Sequence, residues 1–391
     1  MVLGYFNKGL GNLYIIQLEA DSMKICLISS FFHPVQGGAE NHMYYIAKSM
    51  VDKGHEVEVF VSDRTREGII PLKEEVFEGI KIKRFKTWFK FSFSGMFFPG
   101  MYKAIKYSNA DVFHVHGYRH PFNFIHRFTR KPTVMTLHWP NYPTGLRRRW
   151  VEVLIKLFDN VIGKRLLNKF DKLWAVSGAE IPWIKNFGVK DEKIELTPNG
   201  IPKTYLKRRK WSKFRKKLGI KNELMVLCLS RIHKTKGFDQ VIRVAKCFPK
   251  VKFVIAGIDG GFKSYLEKLS NSLDNVIFAG ALSEEEKLEA YAATDIFVHP
   301  SHYEAFGIVV LEAFSQGCSV LTSNRGGLPW VVGDCGLIFK DLDLLDLKEK
   351  LETLIKDKKL RNKLSKKGLK KVKNFTWEKI TDDIEKKYKI L

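Results

Sequence analysis

Two glutamates eight positions apart, Glu304 and Glu312, punctuate the stretch His299-Pro-Ser-His-Tyr-Glu-Ala-Phe-Gly-Ile-Val-Val-Leu-Glu-Ala-Phe-Ser-Gln-Gly317. Its apolar runs predict a short buried strand over Asp295–His299 and a helix over Gly307–Phe314. Glu304 then lies in the loop at the strand's carboxyl end. Glu312 lies up to two helical turns on, roughly 10 Å away at ~1.5 Å of rise per residue. Carboxylates so separated suit different parts of one extended ligand. Between them Phe306, Gly307 and Ile308 bring backbone N–H groups and the positive end of a helix dipole, with glycine allowing close approach, and that suits a diphosphate. Arg231 and Lys236 follow the apolar run Leu224–Ser230, where two cations can neutralise a diphosphate as it departs. Gly257 and the Gly260-Gly261 pair mark another strand end, where small residues admit a nucleotide. A plain surface loop and exposed helix face fit the glutamate spacing equally well, so context must decide.

The elements that would position these groups alternate along the whole chain. Met23–Ser30 reads as a buried strand, followed by the loop Phe31-Phe-His-Pro-Val-Gln-Gly-Gly-Ala-Glu-Asn-His42, a helix to about Lys53 and a strand over Glu56–Val61. This is a βαβ opening of a parallel sheet. Strands are expected over Asp111–His116, Pro132–His138 and Lys172–Val176, and an amphipathic helix within Thr144–Phe170. Pro198-Asn-Gly-Ile-Pro202 and the basic run after it mark a domain boundary. A second α/β series follows, with strands over Leu224–Ser230, Lys252–Ile258 and Val276–Ala279, and a helix whose Ser283 and Glu286 form a capping box. The class is therefore α/β, with two doubly wound, Rossmann-like domains facing across a deep cleft. Residues 1–22 read as a leader or a misassigned start, 23–198 and 199–375 as the two domains, and 376–391 as a closing helix.

The Glu-x7-Glu pattern, with Arg231 and Lys236 upstream and Gly37-Gly38 near the start, resembles the retaining glycosyltransferases of family four, which have the two-domain GT-B fold. The resemblance covers nearly everything from Met23 to the end. It implies that Glu304 holds the transferred sugar and Glu312 the ribose, and that Gly257, Leu282, Phe306, Gly307, Ile308 and Val309 complete the donor site, with Glu284 a reader of guanine. For Gly37-Gly38 a plain turn and a phosphate cradle are equally open on sequence, and the resemblance favours the cradle. It also places His138 beside the transferred sugar, sets Gln36, Asn41 and His116 on the acceptor side, and returns Asn374-Phe-Thr-Trp-Glu-Lys379 to the first domain. The implied reaction moves a hexose from a UDP- or GDP-sugar to a hydroxyl with retention, without a tightly bound cofactor, a metal or a glutamate nucleophile. The loop around Gly37 is similar to that of enzymes acting on lipid-linked acceptors.

Composition narrows the alternatives. The 391 residues carry 67 Lys+Arg against 42 Asp+Glu, a net charge of +25, which predicts an anionic partner. Zinc-finger spacing and RNA-binding aromatic signatures are missing from the sequence, and the basic residues are spread throughout, which argues against a specific nucleic-acid binder. Neither a Gly-x-Gly-x-x-Gly fingerprint nor a P-loop occurs. An epimerase or hydrolase of the same fold is the alternative within the enzyme class. His114 and His116 share one strand face without a third metal ligand in sequence reach. The five cysteines lack paired spacing and read as reduced packing residues. No run reaches the ~18 apolar residues of a membrane span, so the expected place is the cytoplasm, peripheral at the inner face of the cell membrane. Lys81–Tyr107 interleaves basic and aromatic residues without an acid, as an interface with anionic lipid or as a solvated edge over a hydrophobic floor.

Overall fold

Runs such as Val-Phe-His-Val-His and Met-Val-Leu-Cys-Leu are buried along their whole length, the signature of parallel strands covered on both faces. The computed structural model describes residues 22–35, 37–92, 95–138, 140, 148–210 and 212–391. Gln36 and all but Ser22 of the expected leader lie outside them. One eight-stranded sheet has the order β10-β9-β8-β7-β1-β2-β4-β3. Its central strands are β1 (Lys24–Ile28), β2 (Glu56–Ser62), β7 (Val112–His116), β8 (Thr133–Thr136) and β9 (Lys172–Ala175), and it closes with β10 (Ile194–Leu196). The opposite edge is a hairpin of β3 (Glu74–Phe77) and β4 (Ile80–Phe85). A six-stranded, all-parallel sheet has the order β13-β12-β11-β14-β15-β16. Its strands are β11 (Met225–Leu229), β12 (Lys252–Ala256), β13 (Val276–Gly280), β14 (Ile296–His299), β15 (Ser319–Ser323) and β16 (Gly336–Phe339).

In each sheet the chain winds outward one way and then the other, so the crossovers diverge between β1 and β7 and between β11 and β14. Ligands of doubly wound sheets lie at such points, outside the strand carboxyl ends. The two carboxyl edges meet: a Cβ on Gly178, beyond β9, would come 2.4 Å from the Trp330 indole nitrogen, beyond β15.

The chain crosses between the lobes twice, and the crossings are paired. Ile201 N–H donates to Phe375 at 2.9 Å and Trp377 N–H donates to Ile201 at 3.1 Å. The helix Trp377–Lys389 then packs on the helix Gly38–Asp52, stacking Trp377 on Tyr45 and pairing Lys53 with Asp382 and Glu385 at 2.6 Å each. Its Tyr388 hydroxyl meets His114 Nδ1 at 2.6 Å under the first sheet.

Two regions differ from the periodicity reading. The helix expected within Thr144–Phe170 is broken by a π turn at Asp159–Gly163, and its first part, Arg149–Phe158, buries none of its residues. Within Lys81–Tyr107, β4 forms part of the sheet, whereas β5 (Phe89–Lys90) and β6 (Met96–Phe97) make a separate hairpin leading to the helix Gly100–Tyr107.

Candidate active site

The loop after β14 and the loop after β11 are neighbours because their strands pair, and they bring Glu304 and Lys236 together at 2.7 Å. The same Glu304 oxygen meets His299 Nε2 at 2.9 Å. Burial pushes the Glu304 carboxyl up, but Lys236 and His299 outweigh it and hold the carboxyl at about 2. Glu304 is thus a carboxylate at any physiological pH, suited to accepting hydrogen bonds from sugar hydroxyls and unsuited to acting as a base. His299 is wholly buried, and desolvation lowers its pKa.

Glycine geometry seats this loop. Gly307 precedes the helix Ile308–Gln316 at φ +99°, and a Cβ there would lie 2.6 Å from Leu328. Gly237, at φ +66°, sits against the Pro300 carbonyl. Gly257, at φ +140°, would thrust a Cβ to 1.8 Å from the Ser230 carbonyl, holding the loop after β12 close to Arg231. Arg231 is exposed beyond β11.

Glu312 faces a different set of partners, as expected from its spacing. Tyr291 donates to it at 2.9 Å and the Lys287 ammonium lies 3.8 Å away. Burial raises the Glu312 carboxyl above its ordinary value, against the pull of Lys287 and Tyr291. Lys287 also binds Glu284 at 2.8 Å, and Glu284 accepts from Tyr205. Glu284 is therefore already engaged, and Leu282 is half-buried against the core. Tyr45, from the other lobe, is held above its ordinary pKa first by burial and then by Glu284 and Glu312.

Across the junction, Gly37 caps the helix Gly38–Asp52 in extended backbone, crowded by the Glu40–Arg66 pair, while a Cβ on Gly38 would meet open space. Asn41 is exposed in the first turn. His116 and His138 share a 3.2 Å hydrogen bond, and His138 adopts φ +57°. The His114 ring lies tilted beside that of His116 with centroids 4.1 Å apart, as same-face residues of one strand should. His42 completes the cluster and binds Asn199 of the lobe connection at 2.9 Å. Burial drives all four histidines toward the neutral form, His42 to about 4. Among the described residues, no group of three or more His, Cys, Asp or Glu side chains is arranged to hold a metal.

Periodicity and motif spacing missed a supporting layer. A Cβ on Gly326 would lie 1.8 Å from the Glu304 carbonyl, and Gly327 N–H donates to that carbonyl at 3.0 Å. Asp341 binds His302 at 2.7 Å, Arg325 at 2.8 Å and Gln240 at 3.1 Å, clamping the Glu304 loop from behind. The available signal was Asn324-Arg-Gly-Gly-Leu328 after an apolar run.

Sequence comparison agrees with this geometry in both lobes. Residues 36–205 match the family described as Glycosyltransferase Family 4, and residues 210–371 match Glycosyl transferases group 1. The chain belongs to glycosyltransferase family four. It is a retaining glycosyltransferase of the hexosyltransferase class, drawing on a nucleotide sugar. Sulfoquinovosyl transferase SQD2 of Arabidopsis thaliana is 29% identical over 263 residues, 65% of this chain and 51% of that protein. The phosphatidylinositol N-acetylglucosaminyltransferase GPI3 subunit of Saccharomyces cerevisiae is 24% identical over 86% of this chain and 76% of its own length. The crystal structure of Anabaena HepE in complex with UDP-glucose shares the fold, with a TM-score of 0.74 at 21% identity over 94% of this chain and all of that one.

Proposed function

We propose that this glycosyltransferase moves a hexose from a UDP- or GDP-sugar to a hydroxyl of a lipid-linked acceptor at a membrane surface. The observation that carries the donor half is the Lys236–Glu304 pair at the amino end of the helix Ile308–Gln316, with Glu312 further along the same helix. Lys236, Arg231 and the amides of Gly307, Ile308 and Val309 take the diphosphate charge that grows as the glycosidic bond breaks. Glu304 holds sugar hydroxyls, and Glu312 with Tyr291 holds the ribose diol. The acceptor hydroxyl attacks from the face the diphosphate leaves, and a donor phosphate oxygen takes its proton. Asn41 and His116 lie on the acceptor side, and His138, kept neutral by desolvation, orients the transferred sugar without repelling a cationic transition state.

The lipid half is supported by exposed apolar surface on the first lobe and by the relative whose name specifies phosphatidylinositol. No helix among the described residues is long and apolar enough to cross a membrane. Thermal unfolding with UDP, GDP and ADP tests the donor: one nucleotide should raise the midpoint, because a ligand of the native state stabilises it. Labelled sugar should then appear in the organic phase when lipid acceptors are supplied. Free or epimerised sugar formed equally well without an acceptor would overturn transfer to lipid.

A further inference from the structure

The helix Arg149–Phe158 gathers Arg149, Glu152 and Lys156 into one charged stripe and is apolar over the rest of its surface, yet none of its residues is buried. Trp150, Val153 and Leu157 are each more than half exposed on its outer side. A strongly amphipathic helix whose apolar side is left uncovered suits the plane of a membrane interface, with its charged stripe toward the head groups. On its inner side Val151, Leu154, Ile155 and Phe158 form one wall of a 610 Å³ cavity. The opposite wall is Phe124 and Phe128, and Phe91 and Phe97 of the small hairpin close the end. That volume is within the ~300–1,000 Å³ range of small-molecule sites. Its lining is apolar apart from a few groups. Arg119 is tied to Asp159 by two hydrogen bonds at 2.5 and 2.9 Å, and Arg127 lies over the Phe124 ring at 5.6 Å. Exposed cations stand on two of the elements that line it, Lys103 and Lys106 on the helix Gly100–Tyr107 and Arg149 and Lys156 on the helix Arg149–Phe158, with Arg148 just before it.

The cavity also has a fixed relation to the acceptor side. His116 ends β7 and His120 lines the cavity, so at most ~14 Å of backbone separates them. We infer that this cavity holds the hydrocarbon tail of an anionic, hydroxyl-bearing glycerolipid acceptor, with its head group directed along residues 117–120 toward His116. The apolar walls take the chain, the rim cations take the head-group phosphate, and the outer face of the helix lies in the surrounding bilayer. This inference rests on the lipid-acceptor reading above but makes a narrower claim.

Two measurements separate the claims. Co-sedimentation of the full chain with phosphatidylcholine vesicles, with and without phosphatidylglycerol, reads membrane docking. Calorimetric titration with short-chain phosphatidylglycerols of increasing length, each below its micelle-forming concentration, reads the cavity. Affinity should rise about fourfold for each methylene the cavity takes in. The V151W/I155W double variant, which fills the cavity from a helix without buried residues, should flatten that series while still sedimenting with anionic vesicles. Ile155→Asp should flatten it as well, by charge instead of bulk. A flat wild-type series with sedimentation intact overturns the cavity alone. A flat series without sedimentation removes the lipid reading too. Equal slopes in wild type and both variants would place the tail elsewhere, and a concentration-dependent dimer broken by V151W/I155W would give the face to a second copy. Either result overturns the proposal.

Discussion

Glu304 is held by a cation, a histidine and two glycines, and each contact makes a distinct demand on it. Glu304→Gln keeps the shape and loses the charge, so turnover should fall on the order of 10²-fold with little change in nucleotide affinity. Lys236→Ala should reduce turnover and also weaken nucleoside diphosphate binding, as titration calorimetry would register. The depressed carboxyl pKa has a defined sign. Its stabilising effect is fully present above the unfolded value of ~4.3 and is lost as pH falls toward about 2. The midpoint difference between wild type and Glu304→Gln should therefore be constant above about pH 5 and shrink below it; a constant gap down to pH 3 would refute the ion pair's role. Gly326→Ala tests the hidden support. At φ +58°, against a carbonyl, the added methyl should cost about 1–3 kcal/mol and displace Glu304, lowering kcat.

At the scale of elements, the two halves of the broken helix should respond unequally to mutation. Val153→Asn and Leu157→Asn, on its exposed part, should shift stability by no more than about 0.5 kcal/mol. Leu166→Ala and Leu167→Ala, buried beyond the π turn, should each cost about 2–5 kcal/mol in urea unfolding. This contrast shows where the sequence was legible. Buried strands such as Met225–Leu229 declare themselves because both of their faces are apolar, and the Glu304–Glu312 helix because glycines bound it. Periodicity also finds an amphipathic stripe within Thr144–Phe170, but it cannot say whether protein, water or lipid covers that stripe. Asp341 was invisible for another reason. It reaches His302 from 39 positions away, and a lone aspartate after a strand has no repeating neighbour to mark it.

Across the whole molecule, the lobes are joined where the histidine cluster, Asn199 and the final helix converge. Four desolvated, neutral histidines, three of them buried, resist protonation in the native state, whereas unfolded histidines take up protons below ~6.5. The unfolding midpoint should consequently fall from pH 7 to pH 5, and less steeply in a His42→Gln/His116→Gln variant; parallel slopes would remove the cluster as the source. Deleting residues 377–391 should strip amide-exchange protection from β1 and β7, which lose Trp377 and Tyr388, while β11 and β14 keep theirs. The placement of that helix has a consequence for biogenesis. The lobe that leaves the ribosome first receives its last structural piece only after the entire second sheet has been translated. Its nascent form must therefore wait with an uncovered flank, and an arrest-peptide force profile should register its compaction only once residues 377–391 have left the ribosome, not midway.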